Sequence, residues 1–206
     1  MWRTFIDLIS WAAVAAGTAS MWAQYRRVGR EGIEGVSLTT WAEFTLIGGF
    51  WISYGALSAH SVAVIMGSLL CWPLQISIVI RLSPWRDRRA TTTALALFAS
   101  TCVLPGLWGG WAYCVYGCGV GMTLLRLPQL LELLRTRDAS GVSSSSWFIG
   151  AGCAALWIIY YANVALWAPL IATACSGLAS AAVGSLAVWR HRQGAADVAR
   201  REVFAR

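Results

Sequence analysis

Apolar residues in this chain gather in long unbroken runs, without the narrow stripe of a helix or strand that keeps one face in water. A helix needs about 20 such residues to cross the hydrocarbon core of a bilayer. Reading for runs of that length gives seven segments: 5–24, 38–58, 61–80, 90–108, 110–131, 144–164 and 166–188. Each predicts one transmembrane helix. The polar positions between them are unevenly shared. Joins after the second, fourth and sixth segments are very short and hold no arginine, whereas the others are longer and basic.

Composition agrees with a membrane solvent. The chain is 58% hydrophobic and 12% charged, while a soluble domain carries roughly 25% charged residues. With most of the length used in crossings, no room is left for a soluble catalytic domain. The net charge of +7 comes from arginine alone. A basic chain can bind nucleic acid, but these arginines sit in clusters between apolar runs, so none is expected as a partner and lipid is. Arg26, Arg27 and Arg30 follow the first segment, and Arg81, Arg86, Arg88 and Arg89 the third. Arg135 and Arg137 follow the fifth, and Arg190, Arg192, Arg200, Arg201 and Arg206 the last. Seven crossings put all of these on one face, which the arginine excess marks as cytoplasmic. The expectation is a multi-pass cell-membrane protein, N-terminus outside and C-terminus inside, with Arg3 the one exception. A cleaved signal peptide ending near Ala19 is the competing reading of the first run; Asp7 within it, and its match to a later helix, speak against that. The lysine-free, alanine-rich composition is of the kind a GC-rich bacterial genome encodes.

The second pattern is an internal repeat. Gly35-Val36-Ser37 recurs as Gly141-Val142-Ser143, and at the same offset of 106 Trp41 meets Trp147, Trp51 meets Trp157 and Ile52 meets Ile158. Tyr54 then meets Tyr160 and Ala56 meets Ala162. With one residue gapped, Ala23-Gln24 lies beside Pro128-Gln129. Three helices carry a chain to the opposite face, so a second triplet placed directly after the first would be inverted. The fourth segment, which has no counterpart, turns the chain once more and makes the triplets parallel. The predicted fold is all-α, two parallel three-helix bundles joined by a linker helix (3+1+3). Residues 1–89 form the first repeat, 90–108 the linker, 109–192 the second repeat and 193–206 a frayed or surface-lying cytoplasmic tail. Parallel repeats about an axis along the membrane normal are an established transporter plan, SWEETs among its examples.

Pro128-Gln129, a basic loop, Gly141-Val142-Ser143 and Trp157-Ile158-Ile159-Tyr160 together resemble the PQ-loop (MtN3/saliva) superfamily. The 3+1+3 order and outside N-terminus resemble its SWEET branch of sugar carriers, whose single-triplet relatives are the SemiSWEETs. The resemblance covers about residues 5–192. It implies facilitated diffusion of a mono- or disaccharide by alternating access, the sugar held between the triplets near the midplane. It also implies that the tryptophan of each second helix faces the sugar, which here means Trp51 and Trp157, with Tyr54 and Tyr160 on the same helices. A flat aromatic face suits the C–H-rich face of a sugar ring. The family's sugar-binding asparagines fall at Gly67 and Thr173, or with a gap at Ser68 and Ala174; none is asparagine. Gln24, Pro128 and Gln129 are the hinge or gating candidates. Because the first triplet has Ala23 where the second has Pro128, its hinge is expected to be the stiffer one.

Glu43 lies inside the second segment. An ionisable group at membrane depth is by default a functional candidate, here for proton coupling, against the plainer expectations that it reaches the interface or pairs with Arg126. Asp7 and His60 are expected near water. Trp2, Trp22, Trp41, Trp85, Trp108, Trp147, Trp167 and Trp189 fall near segment ends and read as an aromatic belt. Cys71, Cys102, Cys114, Cys118, Cys153 and Cys175 lie within segments as small fillers, and Cys114 with Cys118 lacks the further ligands a metal needs. Gly117 and Gly121 have the spacing that lets helices approach closely. No phosphate-binding loop, HExxH or nucleophile elbow is present, so neither an enzyme nor a cofactor is expected. The readings that remain are a passive carrier of a small polar solute, most simply a sugar; a proton-coupled carrier of an amino acid or other solute; and a receptor or scaffold. Each is compatible with a homo-oligomer.

Overall fold

The computed structural model describes residues 2–85, 87–136, 138–163, 165 and 167–204, with backbone only for residues 2, 3, 168, 169 and 196–204. Arg86, Arg137 and Arg206 lie outside the described residues. Those described form nine α-helices and one π-helical turn, with no strand. The helices are α1 (Trp2–Glu31), α2 (Leu38–Leu57), α3 (Val62–Leu69), α4 (Trp72–Arg81), α5 (Arg88–Phe98), α6 (Leu104–Leu124), α7 (Arg126–Arg135), α8 (Ser144–Asn163) and α9 (Trp167–Phe204). The π turn, Ala99–Val103, joins α5 to α6.

Five stretches are long and apolar enough to cross a bilayer: Thr4–Glu31, Val62–Arg81, Arg88–Arg135, Ser144–Asn163 and Leu170–Ala195. Among the described residues the architecture is thus all-helical, with several helices that could span a membrane. With 20 residues α2 has the length, but Thr39, Thr40, Glu43 and its glycines dilute its hydropathy.

The 48-residue stretch Arg88–Arg135 would run about 70 Å as one straight helix, more than twice the hydrocarbon thickness. It is not straight. Gly109 (φ −134°, ψ 16°) and Gly110 (φ 65°, ψ −154°) leave helical geometry. Gly106 then lies against Cys114, and Gly117 and Gly121 against Thr101. Residues 20 apart cannot touch on one helix, where they stand about 30 Å apart. The chain folds back at Gly109–Gly110.

Three other interruptions have one cause. Proline has no N–H to give the carbonyl four residues back. Pro73 follows the break at Leu70–Cys71, Pro128 the break at Leu125, and Pro105 the π turn that contains Thr101. With Ala23 in place of proline, α1 runs through 30 residues unbroken. Both end helices exceed their apolar runs. Arg27 and Glu31 pair at 4.0 Å in the last turn of α1, and α9 continues to Phe204. The tail, expected to be frayed or to lie on the membrane surface, is helical to that point, in keeping with its alanine, arginine and glutamate.

Packing repeats itself. Both α1 and α2 lie against α3 and α4 but not against each other; likewise α6 and α7 lie against α9, as does α8, with no contact between α8 and either α6 or α7. In each half the third helix separates the first two. The halves meet where α1 packs on α8 and α2 on α6 and α7, and α5 packs beside α2 and α6.

Two expected belt residues are core residues instead. Trp41 and Trp147 are buried at 1% and 5% exposure, edge to face with centroids 6.5 Å apart. They follow the two Gly-Val-Ser turns, which meet where the halves join, so their rings pack across that junction with Phe44, Val142 and Val183. Trp22, Trp85, Trp108, Trp167 and Trp189 are exposed.

Candidate binding cavity

Each Gly-Val-Ser turn is held by a glutamine from the other half. Gln24 Nε2 donates to the Gly141 carbonyl at 2.8 Å, and the Ser143 N–H donates to Gln24 Oε1 at 2.8 Å. In the mirror relation, Gln129 Nε2 donates to the Gly35 carbonyl at 2.6 Å and the Ser37 N–H donates to Gln129 Oε1 at 2.9 Å. Both glutamines are fully buried. A second pair obeys the same exchange: Ser146 Oγ donates to the Ser20 carbonyl at 2.7 Å and Thr40 Oγ1 to the Leu125 carbonyl at 2.7 Å. Ser37 and Ser143 also cap α2 and α8, accepting from Thr40 and Ser146 N–H.

The glycines make this junction possible. An ideal Cβ on Gly35, whose φ is 75°, would stand 2.9 Å from the Asp138 carbonyl oxygen. One on Gly141 would stand 2.6 Å from that of Gly32. The turns touch directly, the Gly141 N–H donating to the Glu34 carbonyl at 3.1 Å. Both therefore lie at the same end of the molecule, and this end is closed.

Away from the closed end, between the halves, lies a cavity of about 210 Å³. Trp51, Gly67 and Ser68 line it from one half, and Trp157, Thr173, Ser176 and Tyr161 from the other. A neighbouring space of about 170 Å³ shares Trp51, Gly67, Ser68, Met122, Arg126 and Cys153 and extends toward Trp41, Trp147 and the clamps. The walls are aromatic rings and small residues with hydroxyls between them, suited to a compact polar molecule with apolar faces.

The structure brings five of the expected lining residues together: Trp51, Trp157, Gly67, Ser68 and Thr173. Tyr54 and Tyr160 do not line the cavity. Tyr54 stacks on Phe50 and meets Trp111. On α8 the residue turned with Trp157 is Tyr161, stacked at 5.7 Å and 23°. Four residues along a helix keep a side chain on one face, whereas the repeat register singled out the tyrosine three residues along. Gln24 and Gln129 are clamps at the closed end, and Pro128 borders a separate groove there with Glu34 and Gly35.

Glu43 meets neither plain expectation. It is fully buried, so it does not reach an interface, and neither carboxylate oxygen has a hydrogen-bond partner. Nor does it pair with Arg126: among the described residues the one ion pair is Arg27–Glu31. Arg126 instead donates through Nε to Ser180 Oγ at 2.7 Å and through Nη1 to the Met122 carbonyl, and its guanidinium carbon lies over the Phe44 ring, 5.3 Å from the centroid. Asp7 and His60 are exposed. Sequence reasoning did not place Arg126, Tyr161 or Ser176 on the cavity. For Arg126 a signal was there, since an arginine within a predicted span marks a polar interior.

Comparison with protein-family models, with curated proteins and with solved structures returns no match to this chain.

Proposed function

We propose that this chain is a membrane carrier, not an enzyme, that moves a small polar solute through the central cavity by alternating access. The reading takes the chain as seven crossings in a 3+1+3 order: two parallel triplets, α1–α4 and the second arm of α6 through α9, with α5 and the first arm of α6 as linker. It sets the N-terminus outside and the clamped end in the cytoplasm, on the arginine pattern. One observation carries it: two glutamines cross-brace the opposite halves by matched hydrogen bonds, closing one end of a cavity that both halves line. A pore needs no such paired latch. A carrier does, because closing one end while the other is open is what alternating access requires. The resemblance to PQ-loop and SWEET carriers points the same way, as do Trp51 and Trp157 on the cavity.

The test is flux in proteoliposomes. Labelled solute of sugar size should equilibrate without an ion gradient, and Trp51→Ala with Trp157→Ala should reduce it to the protein-free rate; unchanged flux in that double variant would remove this cavity as the path. A second reading, coupling to protons, is favoured by Glu43, whose carboxyl group is buried without a partner. The same assay decides it. Coupling requires accumulation under an imposed pH gradient and its loss in Glu43→Gln, and flux indifferent to both leaves the passive carrier.

A further inference from the structure

Among the described residues that line the cavity one is charged, and that residue is Arg126. A guanidinium has five N–H donors. Protein partners take two, one at Ser180 and one at Met122, which leaves three. The guanidinium carbon also lies over the Phe44 ring, 5.3 Å from its centroid, a contact that occupies none of the N–H donors. The residue is 7% exposed and borders both the cavity and the neighbouring space. Among the described residues no carboxylate neutralises it within ion-pair reach. Glu43, which acts on it electrostatically, makes no hydrogen bond to any group.

Holding a cation in an apolar interior with most of its donors free is costly unless something occupies them. Neutral hydroxyls can accept from them, but a carboxylate matches the planar fork in charge and in shape, accepting two parallel hydrogen bonds. The repeat shows that the fold does not demand this charge. With the register that pairs Gln24 and Gln129, the counterpart of Arg126 is Met21, which lines the neighbouring space with its thioether. The cation is thus an addition on one side of an otherwise matched site, beside the aromatic faces of Trp51 and Trp157 and the hydroxyls of Ser68, Thr173 and Ser176.

We infer that the carried solute is an anion: a small polyhydroxylated carboxylic acid, of the sugar-acid class, held by its carboxylate on Arg126 and by its ring or chain against the tryptophans. This rests on reading the cavity as a carrier's site, and the experiment separates the two. D-Gluconate and D-glucose differ chiefly in that carboxylate. In proteoliposomes, labelled gluconate should equilibrate about tenfold or more faster than glucose, the size one charge-assisted hydrogen bond gives. Arg126→Gln should abolish that preference, and Arg126→Lys, which keeps the charge and loses the fork, should retain part of it. Binding is read separately as the rise in melting temperature of detergent-solubilised protein with sodium gluconate against sodium chloride at equal ionic strength. Glucose flux with no gluconate flux overturns the anion site and leaves the carrier standing. Gluconate binding that depends on Arg126, without flux of either probe, supports the anion site and removes the carrier. If neither probe binds or moves, both fall. Should Arg126→Gln fail to fold, the gluconate-to-glucose ratio of the parent protein still decides.

Discussion

Glutamine suits the clamps because one planar amide carries both a donor and an acceptor. Each Gly-Val-Ser turn presents a glycine carbonyl and a serine N–H, and the amide answers both. Glutamate would still accept from the serine but would set an oxygen against the glycine carbonyl. Gln24→Glu and Gln129→Glu should therefore each lower stability by about 1–3 kcal/mol, the cost of a buried group left unpaired. The two losses should be alike, since the two geometries are. Melting temperatures in detergent measure this, and a Gln24→Glu protein as stable as its parent would show that the brace holds nothing. Both glutamines stood out in the sequence as hinge candidates of their own triplets. That each binds the opposite triplet did not, because register within a repeat carries no information about contacts between residues 92 to 119 positions apart. The burial of Trp41 and Trp147 was hidden for the same reason: nearness to a span end reads as nearness to water until the ends of two spans are brought together.

Helices were legible wherever a run of mostly apolar residues is long enough, since length then sets the element. What apolar length cannot show is where hydrogen bonding fails. The breaks at Leu70–Cys71 and Leu125 and the π turn at Ala99–Val103 each answer to a proline a few residues on, a rule the sequence reading applied to Pro128 alone. It also separated two segments between residues 108 and 110 on length, and the backbone turns at Gly109–Gly110. At φ 65° and ψ −154°, Gly110 occupies a region that is open essentially to glycine alone. Gly110→Ala should cost about 1–3 kcal/mol through that strain. Gly152→Ala, in α8 with open space around its Cβ, should be neutral or gain up to about 1 kcal/mol from helix propensity. Thermal unfolding of the two variants side by side makes the comparison. Equal melting temperatures would mean that the hairpin between α6's two arms does not depend on this turn.

The whole molecule is nearly symmetric, and its departures from symmetry say what it has become. Matched clamps, matched caps and a third helix that separates the other two in each half all follow from duplication. On one side only stand the α5 wedge, the unbroken α1, and the charged residues Glu43 and Arg126. In the proposed carrier the two halves would exchange inward and outward openings by rocking against each other, and the touching Gly-Val-Ser turns have both halves point the same way. The turns that follow α2 and α8 correspond, with His60 at φ 45° and Ala165 at φ 55°, as do the Gly-Val-Ser turns at the opposite end. In a background without the six native cysteines, single cysteines at the exposed positions His60 and Asn163 should both react with a membrane-impermeant maleimide in intact cells. Those at Glu34 and Asp138, also exposed, should react only after the cells are opened. The reverse pattern would invert the protein and leave the parallel arrangement intact. One reactive member in each pair would place the halves antiparallel, against the contact between the two Gly-Val-Ser turns, and the parallel-triplet carrier would fall.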